Sequence, residues 1–375
     1  MANTKKNSGE VINSRWKITE TLSSNSGQAH TYKVRDLQNE SDEKEYVIKL
    51  LKKINDKTLA RFKNEIKASL TLEHPNIVRA VDSKYEDASE PYLVMDYCSG
   101  GELNKKKIEN LSLKKKLEMF ESVCEGIAHA HENKVIHRDI KPRNIFLTDQ
   151  KNKTPLIGDF GICFFEEDEN NEERLTAIRE TVGAKSFRPP ESEFGIVENV
   201  NPSFDVYSLG KLLYWFLSNG DVPIREHYSH EKFDLRNGNS EQAIYFAYEI
   251  FDKSIREETT ERYTNATEML EDLRKLMTFI ENDARYLDCN IPQNCIFCRI
   301  GTYELRKSPK ITDRQVLYNY SEYLGYKTPE YNSMGTGNIP TILVARCKNC
   351  GNVQQFRLDK EFNTAANWKN IPEAD

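Results

Sequence analysis

Apolar and polar residues alternate along RWKITETL and HTYKVRDL, a period of two that predicts a pair of strands joined by the polar stretch Ser23 to Ala29. EYVIKLL, Glu45 to Leu51, predicts a third strand, and PYLVMDYCSGGEL, Pro91 to Leu103, a further one that runs into a Gly-Gly turn. Between them, TLARFKNEIKASLTLEHPNIV spaces its apolar residues as a helix does. Helical spacing returns in LSLKKKLEMFESVCEGIAHAHEN, in the strongly apolar FDVYSLGKLLYWFLSNG and in ATEMLEDLRKLMTFIENDARYL. After this last helix the composition changes, and TILVAR and VQQFRL read as strands. Residues 1–14 are polar and are expected to be flexible.

The composition narrows the class without naming it. The 375 residues are 38% hydrophobic and 30% charged, which describes a soluble globular chain with a heavily charged surface. A net charge of -6 gives no footprint for bulk nucleic-acid binding. No run of eighteen apolar residues occurs, and MANTKKNSGE lacks the apolar segment that drives secretion, so a cytoplasmic protein without a membrane segment is expected. Of eight cysteines, Cys98, Cys124 and Cys163 are scattered singly, whereas Cys289, Cys295, Cys298, Cys347 and Cys350 crowd the last quarter. That distribution does not describe a disulfide framework.

The densest chemistry lies in VIHRDIKPRNIFL, Val135 to Leu147, and in IGDFG, Ile157 to Gly161. Asp139, Lys141 and Asn144 form a D-x-K-x-x-N array, and Asp159 follows fifteen residues after Asn144. The oxygens of Asn144 and Asp159 suit Mg²⁺ (or Mn²⁺), a hard ion that completes its shell with substrate phosphates, which leaves Asp139 to accept a proton. An ordinary acidic loop is the bland alternative. The two segments resemble the catalytic loop and DFG segment of protein kinases, and Lys141 resembles the Ser/Thr class, in its eukaryotic type with a bacterial-like form.

This resemblance covers roughly residues 15–280 and implies an α+β, bilobal kinase fold: a small β-rich N-lobe over 15–95 and a larger helical C-lobe over 99–280. It implies ATP as cofactor and a protein hydroxyl as acceptor. Asp139 would orient the hydroxyl, Lys141 would offset the charge of the transferring group, and Asn144 and Asp159 would hold the metal. Lys49 takes the place of the strand lysine. Glu65, ten residues before Pro75, takes the place of its ion-pair glutamate. At the hinge between lobes, the Asp96 carbonyl and Cys98 amide would face the purine, with Met95 behind it and Val47 and Phe146 sandwiching it. Asp205 would brace the catalytic loop, Arg262 would pair with Glu191, and His137 would be structural, while His129 and His131 read as packing or surface residues.

Several positions depart from the family pattern. The phosphate-covering loop keeps only Gly27 of its glycines. Ser69 and Ala80 stand where bulky aliphatics usually pack above Phe160 and His137, so either a void loosens the helix bearing Glu65 or neighbouring side chains fill the space. Ala184 replaces the threonine expected after Gly183. The acidic stretch Glu166 to Glu173 precedes Thr176 and Thr181, candidates for phosphates that Arg138 would pair with, and Glu180 could serve as a permanent substitute. These departures keep a second reading open, a pseudokinase scaffold.

In the tail, Cys295 and Cys298 and then Cys347 and Cys350 form two C-x-x-C knuckles separated by about fifty residues. Four thiolates in two knuckles match tetrahedral structural Zn²⁺, and with the flanking strands the unit over 286–375 resembles a zinc ribbon. A thioredoxin-like redox pair lacks its βαβ surroundings. Charge balance and the insertion tyrosines Tyr318, Tyr320, Tyr323 and Tyr326, read as packing, disfavour nucleic acid and favour a protein-docking or regulatory module.

Overall fold

In the computed structural model, the described residues are 5–23, 28–39, 43–86, 89–151, 153–165, 185–192, 200–237, 242–283, 303–304, 341–347 and 353–358. The chain forms two compact units, Met1–Leu273 and Arg274–Asp375.

In the first unit, the alternating segments become a six-stranded sheet in the order β1-β2-β3-β4-β6-β5. Its strands are β1 (Val11–Ile12), β2 (Trp16–Ser23), β3 (Ala29–Asp36), β4 (Tyr46–Leu51), β5 (Ala80–Lys84) and β6 (Tyr92–Asp96). Alternate residues turn to one face and bury Trp16, Ile18, Tyr32, Val34, Ile48, Leu50, Tyr92 and Val94 in a common core. The register aligns Glu20, Lys33, Val47, Met95 and Ala80 in one row across the sheet, on the face opposite Val34 and Val94.

Residues 5–14 correct the expectation of a flexible N-terminus. Val11–Ile12 pairs with β2, and Ile12 enters the sheet core. The Lys6 amide donates to the Tyr32 hydroxyl at 2.9 Å, and the Asn13 side chain donates to the Tyr92 hydroxyl at 2.8 Å. A single apolar residue supplies the anchor, and its polar neighbours satisfy hydroxyls at the sheet margin.

Helix α1 (Asp56–Thr71) starts from a capping box between Asn55 and Thr58, and it buries Phe62, Glu65, Ile66 and Ala68. After the short α2 (Lys105–Ile108), α3 (Leu113–Glu132) is capped by the Ser112 hydroxyl and carries the chain into the catalytic loop. Helix α4 (Ser203–Leu217) is buried along its whole length from Ser203 to Phe216, as an all-round apolar helix must be. Even Lys211 is 1% exposed there, its ammonium donating to the carbonyls of Pro223 and Arg225. Helices α5 (Gln242–Asp252) and α6 (Ala266–Asp283) complete the helical part. No helix among the described residues is long and apolar enough to cross a membrane.

Three short ladders frame the catalytic loop. β7 (Gly101–Glu102) pairs with β9 (Ile145–Leu147), which pairs with β10 (Pro155–Ile157), while β8 (Val135–Ile136) pairs with β11 (Phe164–Phe165). The second unit contains a three-stranded antiparallel sheet, β12 (Tyr303–Glu304), β13 (Thr341–Cys347) and β14 (Val353–Leu358), of which the last two lie where strands are expected and the first adds to them.

Candidate active site

Asp205, one turn into α4, organises the loop between β8 and β9. Its carboxylate is fully buried and accepts from the His137 amide at 2.7 Å, the Arg138 amide at 2.8 Å and His131 Nε2 at 3.0 Å. Burial alone would drive this acid neutral, but His131, His137 and the Arg138 amide outweigh it and hold Asp205 below the usual carboxylate range. The two amides are spaced correctly because Arg138 takes φ +68°, a left-handed conformation that an arginine adopts only when its surroundings impose it.

Both histidines have both ring nitrogens engaged. His137 Nε2 donates to the Gly158 carbonyl at 3.2 Å and its Nδ1 accepts from the Asp139 amide at 3.2 Å, while its ring packs on Phe160 with centroids 4.7 Å apart. No ring nitrogen is left for proton shuttling, in keeping with a structural role. His131, read from the sequence as a packing or surface residue, links α3 to Asp205 and accepts from the Ala266 amide at 3.2 Å.

The chemical groups follow directly. Lys141 Nζ lies 2.5 Å from Asp139 Oδ2, and the Asn144 amide nitrogen donates to Asp139 O at 2.7 Å and to Oδ2 at 2.9 Å. With its nitrogen so committed, Asn144 keeps its oxygen for a metal. Asp159, at φ +64° and with a side chain 45% exposed, offers the second hard oxygen. This donor set fits Mg²⁺ or Mn²⁺.

Lys49 joins the two lobes. Its ammonium contacts Glu65 Oε1 on α1 at 2.5 Å and Asp159 Oδ1 at 3.0 Å. Burial disfavours its charge, but Asp159 and Glu65 more than compensate and raise it above an ordinary lysine. Lys49 in turn pulls Asp159 down, whereas burial pushes Glu65 up against the pull of Lys49. Glu65 thus points inward despite Ser69 and Ala80. Ala80, Met95 and Tyr85 pack against the cluster of Leu51, Phe62, Ile66 and Leu93.

The turn after α1 ties that helix to β10. His74 Nδ1 accepts from the Asn76 amide at 3.1 Å, and Asn76 Nδ2 donates to the Pro155 carbonyl at 3.2 Å. The Ile157 amide donates to the Asn76 carbonyl, and the Val78 amide to the Ile157 carbonyl, both at 2.8 Å. β10 is therefore fixed two residues before Asp159. The His74 ring stacks on His129 of α3 at 5.0 Å, and burial followed by His129 lowers its pKa.

At the hinge, Val47 and Met95 are register partners on β4 and β6. Phe146 approaches Gly158 so closely that a Cβ there would lie 2.9 Å from its ring, which explains the glycine before Asp159. Cys98 is buried and its thiol is pushed up to about 11 by burial and then by Asp96, which makes it a passive thiol. Asp96 receives Lys44 at 2.9 Å and Arg79 at 3.1 Å. Farther out, Arg262 grips Glu191 with two bonds of 2.7 and 2.8 Å. Gly27, Thr176, Glu180, Thr181, Ala184, Cys295, Cys298 and Cys350 lie outside the described residues, and Cys347 is the last residue of β13.

Comparison with known proteins agrees with this geometry. Residues 22–286 match the protein kinase domain family. Serine/threonine-protein kinase Nek1 of Mus musculus is 34% identical over 223 residues, 52% of this chain and 17% of that protein. A probable serine/threonine-protein kinase of Clostridium acetobutylicum is 29% identical over 73% of this chain and 42% of its own length. PknB of Mycolicibacterium smegmatis is 28% identical over 70% of this chain and 43% of its own. The chain thus spans less than half the length of these curated relatives. With its match from residue 22 to residue 286, the chain belongs to the protein kinase domain family.

Proposed function

We propose that this chain transfers the γ-phosphoryl group of ATP to serine or threonine hydroxyls of protein substrates. The observation that carries this reading is the convergence of Lys49, Glu65 and Asp159 on one side and of Asp139, Lys141 and Asn144 on the other. The hydroxyl oxygen forms a bond to the γ-phosphorus as the bond to the β-phosphate oxygen breaks, ADP leaves, and Asp139 takes the hydroxyl proton. Lys141 offsets charge on the transferring group, and Lys49, held by Glu65, positions the nucleotide phosphates. Asn144 and Asp159 would hold Mg²⁺ or Mn²⁺, which when bound neutralises phosphate charge. The Asp96 carbonyl and Cys98 amide read the purine between Val47 and Phe146, with Met95 behind it.

Asp139→Asn is expected to lower transfer of labelled phosphate from ATP to a protein acceptor by about 10²–10⁴. Equal incorporation by both proteins would sink the reading and revive the scaffold alternative. Against that scaffold stands the retention of every charged group in the transfer geometry.

The tail is proposed to hold structural Zn²⁺ on Cys295, Cys298, Cys347 and Cys350 and to dock or regulate through protein contacts. Tyr303, five residues after Cys298, pairs with Cys347, three residues before Cys350. This register supports the reading, because it brings the start of β12 and the end of β13 to one end of the sheet. Elemental analysis of the full chain is expected to find one zinc per molecule, lost in Cys347→Ser; zinc-free protein purified without chelators would refute it. Cys98, Cys124 and Cys163 are buried as thiols rather than as disulfides, and we propose a reducing, cytoplasmic setting for the chain.

A further inference from the structure

The row Glu20, Lys33, Val47, Met95 puts a charged residue next to the purine slot. Val47 and Met95 are slot residues, and Lys33 is the next member of the row, on the same face and one strand farther out. Its ammonium reaches over to the hinge and lies 4.4 Å from the ring centroid of Tyr97, the residue between Asp96 and Cys98. Glu20 and Glu45 each place a carboxylate oxygen 3.3 Å from the same nitrogen, and the Lys33 side chain is only 15% exposed. Burial opposes its charge, but these carboxylates and Tyr97 raise its pKa overall.

β3 and the hinge are not neighbours in the sheet, since β4 lies between β3 and β6. A contact from Lys33 to Tyr97 therefore crosses β4 and fixes the distance between the outer wall of the slot and the peptide groups of residues 96–98. Cation–π contacts persist at partly exposed sites, and the flanking carboxylates keep the ammonium charged and in place. With a single glycine in the phosphate loop, a larger share of nucleotide grip falls to the purine end.

We propose that Lys33 is a positioning residue of the purine slot: it clamps the hinge through Tyr97, so that nucleotide affinity depends on this residue and on ionic strength. The proposal rests on the reading of residues 95–98 as the purine-binding hinge. It predicts a defect in binding, with KM for ATP raised and kcat moved by less than about twofold at saturating ATP.

Adenosine is the discriminating probe, because it carries no charge of its own to be screened. In the full chain, competition against a fluorescent ATP analogue is expected to show adenosine affinity weakened about threefold to tenfold by Lys33→Met and comparably by Tyr97→Leu. The double variant should be little worse than either single one, and Lys33→Arg should restore affinity. Wild-type affinity for adenosine should weaken between low and high KCl, while that of Lys33→Met stays flat. Adenosine binding that is equal in wild type and Lys33→Met, with the same salt response, overturns the clamp. Failure of adenosine to compete in any of the proteins overturns instead the hinge reading beneath it.

Discussion

Two aspartates hold the two functional halves of this molecule, and they do so in opposite electrical surroundings. Asp205 is fully buried and gathers His131 and the amides of His137 and Arg138 under the catalytic loop. Asp96 has a side chain 27% exposed and gathers Lys44 and Arg79 beside the hinge. For both, burial acts against ionisation and their partners win, so both titrate below the usual carboxylate range. The resemblance ends there. Water screens the Asp96 pairs and hardly reaches Asp205. The catalytic loop is thus anchored independently of salt, while the nucleotide end is held by contacts that conditions can tune.

The strongest way to break this contrast is Asp205→Ala. Two amides and a histidine lose their acceptor in a dry site, and chemical denaturation is expected to report a loss of about 3–5 kcal/mol. A loss below 1 kcal/mol would mean that Asp205 and Asp96 are alike after all. Arg262→Met, which strands Glu191 and removes a fully buried guanidinium, should cost about 3 kcal/mol by the same measurement and should be little affected by salt.

A smaller effect concerns pH. His74 has a lowered pKa in the folded chain, so its unfolded form binds more protons below about pH 6.5. Its contribution to stability is present above that pH and is lost as pH falls through its folded value. Protonation would also turn Nδ1, the acceptor for Asn76, into a donor. His129, Glu125 and Glu132 on α3 face the ring, the carboxylates favouring its charge and His129 opposing it. His74→Gln should flatten the acid limb of a stability–pH curve relative to wild type; an unaltered limb would remove His74 from the account. The smallest effect belongs to the hinge: Lys44→Gln or Asp96→Asn should change stability by only about 0.2–1 kcal/mol and lose even that in high salt.

The contrast also marks what could be read from the chain alone. Asp139, Lys141, Asn144 and Asp159 are legible because their chemistry is written in short local spacings, Glu65 because of its spacing to Pro75, and Lys49 because its strand resembles the lysine-bearing strand of the family. The alternation that gave β2, β3 and β4 was equally local. His131 was legible as a helical residue but not as a partner of Asp205, which is 74 positions away and is reached only when α3 and α4 pack. Lys33 is silent in the sequence because its place is a matter of register: nothing in HTYKVRDL says that this lysine stands level with Val47 and Met95. The N-terminal segment misled for a related reason. Two adjacent apolar residues, Val11 and Ile12, leave no periodicity to detect, yet burial of Ile12 is enough to add a strand edge.

Lys211 of α4 carries a thermodynamic signature of its own. Burial pushes its pKa down to about 7, although Glu226 pulls the other way, while in an unfolded chain it would titrate near the ordinary lysine value of 10.5. Between those values the unfolded chain holds more protons than the folded one, so this residue makes stability rise with pH, by at most ~1.4 kcal/mol per pH unit. Folding near pH 8 is therefore a reaction with a proton among its products. Calorimetric unfolding in phosphate and in Tris, whose heats of ionisation differ, should give enthalpies that diverge at that pH, and the divergence should shrink in Lys211→Met.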